Sequence, residues 1–305
     1  MMPSEVFVPK TAAGGIVTVG NFDGVHRGHQ SMLSTVRQHA DERSLPTVVV
    51  TFDPHPINVL KPEVELPRLS SVNQRKQLLR KYGADEVVVL PVTADLLNMT
   101  PEHFFCAVIR DQLHAAGMVE GPDFRFGRDR AGDTEVLRRL CEENDVELTV
   151  ISPILTDQEM ISSTMIRRLL SEGKLADAVK LLGHPYSLSG NVARGAGRGK
   201  NLGFPTANVT AVEVMLPTDG VYAGLTAISG VSYPVAVSIG PNPTFADHSH
   251  KVECHVVNFA GDLYEEEFTV DLVSEIRSLH PFKDADSLKA QIAADVTRCR
   301  EIVAL

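Results

Sequence analysis

Ile16-Val17-Thr18-Val19-Gly20-Asn21-Phe22-Asp23-Gly24-Val25-His26-Arg27-Gly28-His29 is the stretch around which the rest of the chain is organised. Ile16 to Val19 read as a short strand and an amphipathic run begins near His29, so the glycine-rich middle is a loop leading from a strand into a helix. Such a turn offers exposed backbone N–H groups and the positive end of the helix dipole to an anion. Gly20, Gly24 and Gly28 let the backbone come close, with no Cβ in the way. Glycine-rich turns serve many α/β proteins without touching a nucleotide. His26 and His29, spaced His-x-Gly-His, add two hydrogen-bond donors aimed at one phosphate chain, which a purely structural turn has no need of. Phosphate chemistry is the expectation.

The chain has 305 residues, enough for two domains. With 43% hydrophobic and 22% charged residues and no low-complexity tract, it reads as a soluble globular protein. A formal net charge of −10 excludes broad adherence to nucleic acid or anionic membrane, though not a local basic cleft. Cys106, Cys141, Cys254 and Cys299 lie far apart without metal-type spacing, which argues against both zinc and a disulfide framework. No signal-like segment is visible in Met1 to Ala13 and no run of 18 apolar residues occurs, so a cytoplasmic location is expected. Oligomeric state is not legible.

From Gly15 to about Gly183, strand candidates at Ile16-Val19, Thr47-Phe52, Glu86-Pro91 and Glu147-Ile151 alternate with helix candidates near Gln30-Asp41, Ser71-Tyr82, Pro101-Ala115 and Thr134-Glu143. This pattern implies a mostly parallel sheet with a ligand crevice at the carboxyl ends of its strands. The segments Thr51-Phe52-Asp53-Pro54-His55-Pro56 and Gly121-Pro122-Asp123-Phe124-Arg125-Phe126-Gly127 are expected at that crevice, the latter after a further short strand. Ser162-Ser163-Thr164, with Arg167 three residues beyond Thr164, opens another helix. These residues are either a cap, worth ~1 kcal/mol, or a second phosphate cradle.

Gly183-His184-Pro185 marks the expected boundary between domains 1–183 and 184–305. Beyond it, short alternating runs punctuated by glycine and proline indicate an antiparallel barrel or sandwich, closed by a helix near Ala285-Val303 with Leu288, Ile292 and Val296 on one face. Gly195-Ala196-Gly197-Arg198-Gly199-Lys200 is not a standard phosphate loop, because Arg194 and Asn201 replace the required glycine and Ser or Thr. A basic glycine-rich loop running into Gly203-Phe204-Pro205-Thr206-Ala207-Asn208 can still wrap phosphates. Thr206 and Asn208, two apart, would face one side if extended and could help hold a magnesium ion carried by a nucleotide; a proline-broken edge strand is the plainer reading. Glu253 is either a solvated strand residue or a base for a bound hydroxyl. Arg277 and Phe282 offer a cation and an aromatic face to a ligand.

Taken together these residues resemble the bacterial bifunctional riboflavin kinase/FMN adenylyltransferase family, the FAD synthetases, along nearly the full length. In the N-terminal half the resemblance rests on Gly20 to His29, Thr51 to Pro56, Asp123 to Gly127, and Ser162 to Thr164 with Arg167. In the C-terminal half it rests on Gly203 to Asn208, Gly220 to Gly224, Asn242 to Phe245, Val252-Glu253, and Asp262 to Tyr264. The resemblance implies a Rossmann-like α/β nucleotidylyltransferase domain followed by an antiparallel β-barrel flavokinase domain with a C-terminal helix. The first would move AMP from ATP to FMN, making FAD and pyrophosphate, and the second would phosphorylate riboflavin. Implied roles place His26 and His29 on the triphosphate with Ser163, Thr164 and Arg167 opposite, and Asn21 and Phe22 near the nucleotide. Thr206 and Asn208 would hold Mg2+ and ATP, and Glu253 would act as the base. A second reading keeps the adenylyltransferase and makes the barrel a non-catalytic flavin-binding module. Met165 replaces a usual basic residue, Glu265 replaces a usual glycine and is expected to alter a turn, and the segment Ser278 to Phe282 lacks the family's common charges.

Overall fold

The first strand, β1 (Ile16–Val19), is buried along its whole length because it lies in the middle of a sheet covered on both faces. The computed structural model describes residues 9–153, 155–156, 159–195, 198–242 and 247–304. Ala196, Gly197 and the Pro243-Thr244-Phe245 part of the quoted motifs lie outside these residues. Contacts divide the chain into two units, Met1–Pro67 with Ser71–Ser162, and Arg68–Ser70 with Ser163–Leu305.

In the first unit, β1 leads to α1 (Arg27–Arg43), β2 (Thr47–Asp53), α2 (Pro56–Leu60), α3 (Val72–Lys81) and β3 (Glu86–Pro91). There follow α4 (Ala94–Leu97), α5 (Pro101–Phe104), β4 (Gly117–Glu120), α6 (Thr134–Glu143) and β5 (Glu147–Val150). The sheet order is β3-β2-β1-β4-β5, parallel throughout. Val17, Val19, Val48 and Val50 pack into one cluster with Phe104, Phe105 and Ile109. The alternate residues Ile16 and Val49 pack against α1 and α3 through Val36, Ala40, Leu33 and Leu79. Burial on both faces is why these strands read as unbroken apolar runs. The expected helix over Pro101-Ala115 is only α-helical at its start: Phe105–Arg110 widens into a π-helix, with Phe104, Phe105, Val108 and Ile109 all buried. A two-stranded ribbon, β6 (Leu155–Thr156) with β7 (Glu159–Met160), ends the unit; strands of two residues carry no alternation to read.

The second unit starts with α7 (Ser163–Ser171) and α8 (Leu175–Leu182), stopped by Gly183 at φ 73°. The barrel begins directly after Gly183-His184-Pro185, while Leu170, Leu175 and Leu182 pack into one cluster with Tyr186 and Leu188. The remaining elements are β8 (Tyr186–Ala193), α9 (Arg198–Asn201), β9 (Ala207–Thr210), β10 (Gly220–Ile228), β11 (Val231–Asn242), β12 (Asp247–Val256), β13 (Glu267–Ser278) and α10 (Ala285–Ile302). The six strands close as β10-β11-β12-β9-β8-β13, which leaves no unpaired edge. One set of alternate residues, including Tyr222, Val235, Val237, Val252, Cys254 and Val270, fills the interior. The opposite set, including Ala223, Leu225, Ala236 and Val273, packs with Ile292, Val296 and Cys299 of α10.

Tyr264 and Glu265 form a turn directly after Asp262-Leu263. Glu265 takes φ 66°, and its N–H donates to the Val192 carbonyl at 2.9 Å. That left-handed conformation costs a side-chain-bearing residue about 1–2 kcal/mol, partly offset by the entropy glycine would lose. Glu265→Gly is therefore expected to raise stability by roughly 0.5–1 kcal/mol, measured as an upward shift of the urea midpoint at unchanged slope.

Candidate active sites

The chain turns at β1. Strands β2 and β3 extend the sheet to one side and β4 and β5 to the other, so the crevice beyond β1 and β4 is the topological switch point where ligands of open α/β sheets bind. The β1–β4 ladder pairs Ile16 with Gly117 and Val17 with Met118, then opens. The freed Val19 N–H is taken by the Glu120 carboxylate at 2.7 Å, and burial pushes that carboxyl well above the usual range.

Gly20 to His26 form the loop beyond β1. Phe22, Gly24 and Val25 all take positive φ, at 48°, 79° and 39°, which is costly for Phe and Val and occurs where surrounding structure enforces it. His26 is the N-cap of α1, its Nδ1 accepting the His29 N–H at 3.4 Å, so in its neutral form the ring carries its proton on Nε2 as a donor. The His26 and His29 rings stack at 3.6 Å, and Phe22 meets His29 edge-on at 5.0 Å. A Cβ on Gly28 would lie 3.1 Å from His26 Nδ1, so glycine there leaves room for the cap. Burial, then the charges of His26 and Arg75, hold the His29 pKa well below its ordinary value. His29 Nδ1 and Asn21 Oδ1 are buried without a protein hydrogen-bond partner. Asp23 is buried in the same loop.

Of the other residues read from the sequence, Asp53 ends β2 and His55 caps α2, accepting the Ile57 N–H at 3.2 Å. The Asp123 carboxylate folds back towards Gly121 just beyond β4. Phe124 stacks on Phe126 at 5.3 Å and packs against the first core cluster. Ser162 closes the first unit; Ser163, Thr164 and Arg167 lie in α7 of the second.

The second unit carries a cavity on the outer wall of its barrel. Thr206, Ser238, Glu253, His255, Arg277 and Phe282 line it, with Leu288 and Ile292 of α10. Position follows from alternation: Cys254 points into the barrel, so Glu253 and His255 point out. Glu253 lies directly across from Asn208 on one side and from Ser238 on the other. Thr206 and Asn208 thus share the outward face. The glycines fit tightly: a Cβ on Gly195 would collide with the Asn208 amide, and one on Gly199 would collide with the Phe204 carbonyl and come 3.1 Å from Thr206 Oγ. Lys200 sits in α9 beside Gly199, Gly203 turns at φ 89°, and the Pro205 carbonyl accepts from His255 Nδ1 at 2.8 Å. Arg277 lies over the Phe282 ring at 5.6 Å and is gripped by the buried Asp295 at 2.8 and 3.0 Å, itself braced by Gln291.

Arg75, Glu120, His255 and Asp295 were not singled out from the sequence. Arg75 had a signal: it sits between Val72 and Leu79 on the apolar stripe of its helix, where a charge needs a reason.

A family model described as FAD synthetase matches residues 8–165 and one described as riboflavin kinase matches residues 182–303. The bifunctional riboflavin kinase/FMN adenylyltransferase of Escherichia coli K12 is 34% identical over 293 residues, covering 96% of this chain and 94% of its own. That of Pseudomonas fluorescens is 35% identical over 95% of this chain and 94% of its own. A crystal structure described as a macrolide-efflux protein from Streptococcus pneumoniae superposes with a TM-score of 0.86 and 30% identity over 97% of this chain and 96% of that one. Among the described residues, no helix here is long and apolar enough to cross a membrane. A parallel α/β unit with a glycine- and histidine-bearing strand-to-helix loop, a closed barrel with a carboxylate on its outer wall, and relatives matched over more than nine-tenths of both chains lead to one conclusion: the chain belongs to the bifunctional riboflavin kinase/FMN adenylyltransferase family, enzymes that phosphorylate riboflavin to FMN and then transfer AMP from ATP to FMN to give FAD.

Proposed function

We propose that riboflavin is phosphorylated on the outer wall of the barrel, with Glu253 as the base, and that FMN is adenylylated at the β1–α1 loop, with His26 and His29 on the ATP triphosphate. The observation that carries the kinase assignment is the register of Glu253 with Asn208, on the same cavity wall as Thr206. A module that only carried flavin would have no use for a carboxylate beside a hydroxyl and an amide. In this reading Glu253 accepts the proton of the ribityl hydroxyl as that oxygen attacks the γ-phosphate of ATP. Phe282 and Arg277 border the flavin ring, and Gly199, Lys200, Gly203 and Pro205 shape the nucleotide's path.

Magnesium fits as an ion that arrives with ATP. Among the described residues, no three His, Cys, Asp or Glu side chains form a cage, whereas Thr206 and Asn208 present neutral oxygens on one face. When bound there, the ion supplies neutralisation of phosphate charge.

In the adenylylation reading, the loop amides and both imidazoles hold the triphosphate in line for attack by the FMN phosphate; charge stabilisation and positioning suffice, with no protein nucleophile. Gly20, Asn21, Phe22, Asp23 and Gly28 form that cradle; for Ser162, Ser163, Thr164 and Arg167 a phosphate role is what the resemblance implies. Asp53, His55, Asp123 and Phe124, from the segments beyond β2 and β4, are assigned to FMN. Four free cysteines, three of them buried, suit a reducing cytoplasm.

The test is a time course. With riboflavin, ATP and magnesium, the purified chain is expected to accumulate FMN first and FAD later, followed by chromatography with fluorescence detection. A chain that makes FAD from supplied FMN but no FMN from riboflavin would return the barrel to a binding role.

A further inference from the structure

Helix α3 buries a guanidinium. Arg75 is 4% exposed, whereas arginine is almost never fully buried unless paired. The Ser71–Gln74 capping box fixes the start of the helix, and Leu79, four residues on, anchors the same stripe in the core beside Phe22 and Leu33. Arg75 NH1 donates to Thr51 Oγ at 3.1 Å and to the Phe52 carbonyl at 3.0 Å. Thr51 spends its one hydroxyl proton on the Asn21 carbonyl at 3.0 Å, which leaves its lone pairs for Arg75. One cation therefore ties the end of β2 to the first residues of the phosphate loop. It also stands close enough to His29 to act on that ring through its charge.

We propose that Arg75 is a positioning residue for adenylyl transfer: through Thr51 it holds the Asn21 end of the phosphate loop, and it keeps a fixed positive charge beside His29. The proposal rests on the reading that this loop holds the ATP triphosphate. The charges acting on His29 come from His26 in its own turn and from Arg75 on α3, and both disfavour the imidazolium, as burial does. In the free protein His29 is thus a neutral ring, ready to donate one hydrogen bond without competing for the site as a cation. When the polyphosphate arrives, Arg75 remains as permanent positive charge behind it, one that no change of pH in the working range removes.

The experiment uses the full-length chain with Arg75→Met, Arg75→Lys and Thr51→Val. The His29 titration is followed by NMR of the ring protons in the absence of nucleotide, in spectra whose dispersed core methyl signals also report folding of the first unit, and FAD formation from FMN is measured beside riboflavin phosphorylation, the activity assigned to the second unit. With Arg75→Met, His29 is expected to titrate at higher pH and the kcat of FAD formation to fall roughly tenfold or more, while phosphorylation stays near the parent rate. Arg75→Lys is expected to keep the low His29 titration. Thr51→Val, which retains the charge and removes the relay, should leave the titration low and still slow FAD formation. An unchanged His29 titration in Arg75→Met, or FAD formation at the parent rate in both Arg75→Met and Thr51→Val, overturns the proposal. Should Arg75→Met fail to fold, the lysine and Thr51→Val variants decide it by the same readouts. The titration needs no bound nucleotide, so it stands apart from the loop assignment; His29→Ala with undiminished FAD formation would sink that assignment instead.

Discussion

Glu253→Gln is expected to slow riboflavin phosphorylation by about 10²–10⁴-fold, the usual worth of a positioned general base, while FAD formation from supplied FMN continues at the parent rate. Glutamine keeps the volume of the side chain and its place on the outer wall, opposite Asn208 and Ser238. What it loses is the ability to take the hydroxyl proton. If the role is that of a base, kcat falls and the KM for riboflavin changes little, because the interaction is made in the transition state. Steady-state kinetics of both reactions on one preparation provide the measurement. A phosphorylation rate within twofold of the parent would remove Glu253 from that role.

The second large effect is expected at His29. His29→Ala should reduce FAD formation from FMN by about 10²–10³-fold, the typical loss when one preorganised donor to developing charge is deleted, and leave phosphorylation within twofold. The ring stacks on His26 and meets Phe22, so its removal also loosens the N-cap of α1. His29→Asn separates these contributions, because it restores a donor without the stacking surface. Equal loss of both activities in His29→Ala would contradict separate sites, and rates for both reactions, measured with FMN or riboflavin supplied, would reveal it.

These two centres differ in how far the sequence exposed them. The β1–α1 loop was legible as a strand-to-helix turn because glycines separate an apolar run from an amphipathic one, and the loop is local: its geometry is set by neighbours in the chain. The parallel sheet was legible from its apolar runs. Its order was not, because parallel partners such as Ile16 and Gly117 meet across a hundred residues that carry no mark of the pairing. Glu120 was hidden for the same reason, since its purpose appears only once the β1–β4 ladder is seen to open beyond Val17. In the barrel, alternation showed that Val252 and Cys254 oppose Glu253 and His255, but not which pair faces inward. Both faces carry apolar residues, because α10 covers the outside as the core fills the inside. Leu288, Ile292 and Val296 were grouped correctly on one face of α10; the structure adds that this face is partly a pocket wall. Arg75 stood out only as a charge on an apolar stripe and Asp295 not at all: the role of a buried charge is recognised by its partner, and Thr51 and Arg277 lie on other elements.

Because apolar side chains fill the barrel interior and a cavity lies on its outside, each strand of the wall carries two messages in alternate letters. Val252 and Cys254 fill the container; Glu253 and His255 line the cavity outside it. Substitutions in one set can drift without rewriting the other, so with the kinase site proposed for that cavity a lineage could retune the flavin or nucleotide it takes while its barrel remained equally foldable. Saturation libraries at the outward positions should accordingly return many well-folded, inactive proteins, and libraries at the inward positions few folded proteins of any kind.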